Sequence, residues 1–330
     1  MQMQTKRWLA AAMAFLLLGS VAFTACNMGA KSEKQSQQQS VQNQPATFKP
    51  LDTTSKKVVA EYNGGKITEG DLNRYINLVS FFRQDVAFIM ANAAQNPKLK
   101  EDFAKQYAVR LYASNQVKDD PKYRQEAEKL MSDMDNEFKK SGNKDPKAPK
   151  SLDEAIKGKG FTKQDLLDFL TLNQRLNVYY DEQMKGKEYV QVKVQHILIG
   201  MGDGSNGLPK RSDAEAKKRA DEVKQKLESG GDFAKLAKQY SDDTGSKDNG
   251  GIIEGPSDQF VPAFKQASET LPLNKISDPV KTEYGYHIMK VLDRKTLPLD
   301  KAPDEVKSAK EQQLYDEIVS QKLQFRYLNA

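Results

Sequence analysis

The sequence predicts an α+β protein in which a small antiparallel sheet with surrounding helices is inserted into a mainly helical domain formed by the N- and C-terminal segments. Three observations carry this prediction. Between residues 58 and 186, after one short hairpin pattern, apolar residues recur at helical spacing. From Tyr189 the period changes to strand alternation, with Val190, Val192, Val194, His196 and Leu198 on one face and Gln191, Lys193 and Gln195 on the other. Residues 301–330 read as one long helix whose apolar stripe is too short to form a core alone. It must bury against something, and the helices of 58–186 are the natural partner.

The elements follow in order. Val58 to Tyr62, Asn63-Gly64-Gly65 and Lys66-Ile67 read as a hairpin. Thr68 with Asp71 is a capping-box start, and Leu72, Tyr75, Ile76, Val79, Phe82 and Val86 continue at helical spacing. Phe103, Tyr107 and Leu111 mark a second helix. Tyr123, Ala127, Leu130, Met134 and Phe138 mark a third that begins near Asp120-Pro121. Thr162 with Asp165 opens a further helix carrying Leu166, Phe169, Leu170 and Leu176. After the strand at 190–198, Ser212 with Glu215 caps a helix bearing Ala216, Ala220, Val223 and Leu227. Gly230-Gly231 break it, and Asp232 opens the next. Tyr286 to Val291 alternate as a strand.

The chain has 330 residues, 38% hydrophobic and 29% charged, which fits two or three soluble domains and excludes wholesale disorder or a polytopic membrane protein. Its single Cys excludes an internal disulfide, and its two His make a His-based metal cluster improbable. The net charge is +6, but residues 1–50 supply five basic residues and one acid. The remainder is nearly balanced, a solvated surface with no nucleic-acid stripe.

Lys6-Arg7 precede an uncharged run from Trp8 to Ala25, the pattern of a secretory signal peptide over 1–25. The run ends Phe23-Thr24-Ala25-Cys26, and Cys26 is the only Cys. This resembles the lipobox of bacterial lipoproteins, in which the Cys is acylated and becomes the mature N-terminus. The competing reading is an uncleaved signal-anchor helix. Residues 26–57 then read as the lipidated Cys and a disordered tether, because Lys31 to Gln44 hold six Gln and almost nothing apolar.

Both His fall on predicted strands of one domain, with Tyr240-Ser241-Asp242-Asp243 and Gly250-Gly251-Ile252 between them. Five stretches there stand in an order and spacing that resemble the parvulin family of peptidyl-prolyl cis-trans isomerases. They are Val194-Gln195-His196-Ile197-Leu198, Tyr240-Ser241-Asp242, Gly250-Gly251, Phe260-Val261-Pro262-Ala263-Phe264 and Thr282-Glu283-Tyr284-Gly285-Tyr286-His287-Ile288. The whole chain is similar to extracellular foldase lipoproteins of the PrsA type. The expected organisation is a helical N-terminal part of a chaperone-like domain over 58–188, a parvulin-like domain over 189–295, and a C-terminal helix over 296–330 packing on the N-terminal part.

The resemblance implies roles. His196 and His287 correspond to the paired histidines, Asp243 to the Cys-or-Asp position beside the substrate carbonyl, and Thr282 to the hydroxyl of the same network. Ile252, Phe260 and Phe264 correspond to the apolar cup for the proline ring. Gly255 stands where the family often carries a pocket aromatic. The implied activity is isomerisation of X-Pro bonds without a cofactor or metal. The implied partners are unfolded or partly folded exported polypeptides, and the membrane through a lipid on Cys26. A homodimer stays open. The implied location is the extracytoplasmic face of the cell membrane.

Plainer readings stand beside these. The His pair can be a structural element joining two strands. Asp243 can be a turn residue, and Phe260 with Phe264, at i and i+4, can be core. The rival function is a chaperone whose parvulin-like unit is catalytically weak or inactive. A Ser241-based hydrolase lacks the Gly-x-Ser-x-Gly elbow.

Overall fold

The computed structural model describes residues 49–328 apart from 94–96, 144, 146 and 205–206. The expected signal peptide, Cys26 and most of the expected tether lie outside the described residues. The chain forms two compact units. One runs from Met184 to Lys307, and the other combines the described residues up to Gln183 with those from Ser308 onward. Helices and small antiparallel sheets together make the α+β class.

In the terminal unit, strands β1 (Val58–Tyr62) and β2 (Gly65–Thr68) form the hairpin across Asn63-Gly64. Thr68 then caps α1 (Glu69–Phe82), with the reciprocal capping box from Asp71. The run from Leu72 to Val86 is two helices and not one. Arg83 is extended, at φ −123° and ψ 99°, and α2 (Gln84–Ala93) starts after it. There follow α3 (Pro97–Asn115), α4 (Pro121–Gly142), a short α5 (Leu152–Ile156) and α6 (Lys163–Met184). Asp120 caps α4 with Pro121 in its first turn, where the missing N–H costs nothing. Leu72, Tyr75, Ile76, Phe103 and Phe169 are buried, and the Tyr75 ring stacks on Tyr107 at 4.7 Å.

The last nine residues of the expected tether are docked, which corrects its boundary at 57. Asn77, fully buried on α1, accepts from the Leu51 amide and donates to the Leu51 carbonyl. The Gly70 amide donates to Ser55 O at 3.0 Å and the Glu69 amide to Lys57 O at 2.8 Å. The first-turn amides of α1 have no partner within the helix, and this segment supplies one.

The unit from Met184 to Lys307 is a four-stranded antiparallel sheet in the order β4-β3-β6-β5. Its elements are β3 (Glu188–Gly200), α7 (Asp213–Glu228), α8 (Phe233–Tyr240), β4 (Ile252–Pro256), α9 (Pro262–Thr270), β5 (Val280–Thr282) and β6 (Gly285–Pro298). Ser212 and Glu215 form a capping box on α7, and Asp232 caps α8. Both faces of the sheet are covered. Ile197, Ile199, Tyr286 and Ile288 pack under α7 and α8, while Val192, Val194, Met289 and Val291 pack with Phe264 of α9.

The segment 296–330 is not one helix. Residues 296–298 finish β6, and α10 (Asp304–Glu317) starts only after Pro298 and Pro303, whose rings stop the chain from continuing helically. A turn of π-helix over Ile318–Lys322 follows, and Gln324 sits in the left-handed region at φ 47°. The chain then pairs as β7 (Arg326–Tyr327) with the open edge of β1. The pairing satisfies main-chain groups that the edge of β1 would otherwise leave open.

Candidate active site

His196 lies on β3 and His287 on β6. In the antiparallel register His196 stands opposite Met289 and Leu198 opposite His287, so the two imidazoles are diagonal neighbours on the α9 side of the sheet. Each is 5% exposed, and their Nδ1 atoms are 3.2 Å apart. The other end of His196, Nε2, is 3.0 Å from Asp243 Oδ2. The other end of His287, Nε2, is 2.9 Å from Thr282 Oγ1. The four polar residues assigned from the sequence therefore form one continuous chain, Asp243–His196–His287–Thr282.

Ser246 joins that chain and was not singled out from the sequence. Its hydroxyl donates to Asp243 Oδ2 and lies 3.1 Å from His196 Nε2. The stretch Gly245-Ser246-Lys247-Asp248-Asn249 has ordinary turn composition, so no sequence signal separates it from a solvated loop.

The chain has a direction. A carboxylate only accepts, so Asp243 requires the proton on Nε2 of His196, which leaves Nδ1 as an acceptor. His287 then donates from Nδ1, and its Nε2 accepts from the Thr282 hydroxyl. Thr282 Oγ1 in turn accepts from the Tyr284 amide at 3.2 Å. Hydrogen bonds from His196, then from Ser246 and the Gly245 amide, hold the Asp243 carboxyl far below the usual carboxylate range, against an opposing burial penalty. Burial, which disfavours the charged imidazole, is the main cause that pushes His287 down to about 3.

That shift predicts an acid sensitivity. The folded pKa of His287 lies below its ordinary value of 6.5, so between there and about 3 the unfolded chain binds more protons. Stability is complete above that window and is lost as pH falls through it, by at most about 1.4 kcal/mol per pH unit for one group. Urea-unfolding midpoints followed by circular dichroism should fall steadily between about pH 6 and pH 4 in the wild type. A His287→Gln variant, whatever its starting stability, should show a flatter dependence.

The backbone holds these side chains closely. The Asp243 and Leu198 amides both donate to Ser241 Oγ, at 3.3 and 3.2 Å. Asp242, next in sequence, is engaged elsewhere: its carboxylate accepts from the Gly200 amide and from Arg211. Adjacent acids thus have separate tasks, and only Asp243 faces the imidazoles. Gly251 is at φ 75°, and its carbonyl accepts the His196 amide at 2.8 Å. A Cβ there would stand 2.3 Å from His196 O, so the close approach of this turn to β3 requires glycine.

Phe264 is 3% exposed and meets both imidazoles edge-on, with centroids 5.4 Å from His196 and 5.1 Å from His287. Phe260 leans on it at 5.2 Å and stays half-buried. Ile252 does not belong to this apolar set. It stands opposite Gln195, whereas Ile253 stands opposite Val194 and packs on the Phe264 cluster. The two left-handed glycines before β4 hide its parity from the sequence, and a shift of one residue exchanges the faces. Gly255, opposite Val192, shares the Ile253 face, and a Cβ there would lie 3.9 Å from the Phe260 ring.

Exposure divides the polar residues by what they can touch. The Asp243 side chain is 28% exposed against 6% for His196. Thr282 and His287 are buried. Of the four, only Asp243 is partly open to solvent. Among the described residues, no group of three or more His, Cys, Asp or Glu is placed to hold a metal ion.

A family model for the PPIC-type PPIase domain matches residues 177–295, which span this site. Foldase protein PrsA 3 of Bacillus cereus is 42% identical over 135 residues, 40% of this chain; the match covers 42% of that relative's length. A parvulin-like PPIase of Rickettsia bellii is 32% identical over 254 residues, covering 74% of this chain and 76% of that protein. Foldase protein PrsA of Clostridium botulinum is 27% identical over 338 residues, covering 92% of this chain and 90% of that protein.

Proposed function

The chain belongs to the parvulin family of peptidyl-prolyl cis-trans isomerases, and from that premise we propose that it is a foldase that accelerates X-Pro isomerisation in polypeptides after export. The observation that carries this reading is the unbroken Asp243–His196–His287–Thr282 chain beneath Phe264, with Asp243 alone partly open. The reaction needs no bond cleavage. Resonance raises the barrier to rotation about the peptide C–N bond to ~18–20 kcal/mol. A site lowers that barrier by binding the twisted amide better than the planar one. An apolar wall of Phe260, Phe264 and Ile253 grips the proline ring. The Asp243 carboxylate beside the carbonyl disfavours the planar form, whose oxygen carries more negative charge.

The rival reading is a chaperone without catalysis, motivated by Gly255. The intact polar chain argues against it. The two separate in one comparison. The isomerase reading expects the protein to accelerate cis-trans exchange in an Ala-Pro peptide. Suppression of client aggregation with no acceleration supports the rival.

The membrane assignment rests on the sequence around Cys26. No helix among the described residues is long and apolar enough to cross a membrane. On this reading a diacylglyceryl group on Cys26 anchors the protein outside the cytoplasm. Cys26→Ala should abolish metabolic labelling with a radioactive fatty acid. Undiminished labelling in that variant overturns the anchor.

A further inference from the structure

We infer that Ser246 is a positioning residue for Asp243, and that its hydroxyl keeps the carboxylate in the ionised, fixed orientation the reaction uses. The inference rests on the isomerase reading for its kinetic consequence and on geometry alone for its physical one.

Asp243 is held at both oxygens. Oδ1 accepts from the Gly245 amide at 2.9 Å, and Oδ2 accepts from His196 Nε2 and from the Ser246 hydroxyl. Ser246 is 2% exposed, so its hydroxyl has no solvent to turn towards. Its carbonyl accepts from the Asn249 and Gly251 amides, both at 2.9 Å. The side chain therefore cannot leave without opening the turn that leads into Gly251. With its proton committed to Asp243, Oγ offers a lone pair to His196 Nε2–H, 3.1 Å away. The His196 proton is thus shared between carboxylate and hydroxyl. Removing the hydroxyl leaves His196 as the only side chain bonded to the carboxylate.

Two of the other charged groups nearby are engaged elsewhere, and Lys247, whose amide donates to Asp243 O at 3.1 Å, follows Ser246 directly. Of the groups on the strands, His196 faces Asp243 directly and His287 lies behind it. Arg211 is bound to Asp242, and Lys238 of α8 pairs with Asp248 in the following turn. Losing a hydrogen bond to a charged group corresponds to roughly one to two pH units in the carboxyl titration.

The test uses the full chain with Ser246→Ala and Ser246→Thr, each shown by circular dichroism to be folded at the assay temperature. The Asp243 carboxyl is followed by carbon-13 NMR, and kcat and KM are measured on an Ala-Pro peptide. In Ser246→Ala the titration midpoint should rise by about one pH unit or more. The same variant should lose about tenfold in kcat with KM little changed, since orientation and not binding is affected. Ser246→Thr, which keeps the hydroxyl, should restore both. An unmoved carboxyl midpoint in Ser246→Ala overturns the inference whatever the rate does. A wild type without catalysed exchange overturns the isomerase reading instead, and the midpoint still decides the role of Ser246.

Discussion

Replacing Phe264 by alanine is expected to destabilise the unit from Met184 to Lys307 by about 3–5 kcal/mol and to remove isomerase activity with it. The ring is almost wholly buried and sits among Val192, Val194, Met289 and Val291. It also closes the apolar side of both imidazoles. Truncation leaves a cavity beside two neutral rings whose hydrogen bonds depend on exclusion of water. The unit loses transfer energy, packing and the dry surroundings that keep His287 uncharged. Phe260→Ala should behave differently. That ring is half-buried at the edge of the cluster, so the melting temperature should change little while KM for an Ala-Pro peptide rises. Thermal melts and peptide kinetics on the two variants separate wall from rim. A Phe264→Ala protein that melts like wild type contradicts the packing described above.

Asp243→Ala carries the second large effect, a loss of one to two decades in kcat/KM, or about 1.4–2.8 kcal/mol of transition-state stabilisation. The carboxylate is the open end of the polar chain, so its removal should act on the rate more than on the fold. Asp243→Asn sharpens the point. It keeps the size and an oxygen for the Gly245 amide but removes the charge that disfavours the planar amide, together with the acceptor that Oδ2 offers to His196 and Ser246. If charge is the operative property, Asn should resemble Ala in kcat/KM.

Much of this architecture is legible in the sequence because local rules and burial agree there. Thr68 with Asp71 and Ser212 with Glu215 are capping boxes in both sequence and structure. The change of period at Tyr189 marks a real strand whose two faces meet different helices. Of the polar residues now found in one chain, the two His stand out by their rarity, whereas Asp243 and Thr282 are picked out only by the resemblance to the parvulin family. What escaped the sequence depends on register and on long-range backbone pairing. Ile253 and not Ile252 joins Phe264, because two left-handed glycines reset the strand's parity. Ser246 looks like any turn serine until its hydroxyl is placed between Asp243 and His196. The docking of residues 49–57 on α1, and of Arg326–Tyr327 on β1, uses main-chain groups that carry no side-chain pattern.

The central claim is that a carboxylate, fixed by a buried histidine pair beneath an apolar wall, speeds rotation about a prolyl bond. Exchange spectroscopy on an Ala-Pro peptide tests it most directly, with wild type and Asp243→Ala at equal concentration and their folds matched by circular dichroism. Strong cis-trans exchange cross-peaks are expected with wild type, and a rate at least tenfold lower with Asp243→Ala. Equal exchange rates for the two proteins, or no catalysed exchange with a folded wild type, would contradict it.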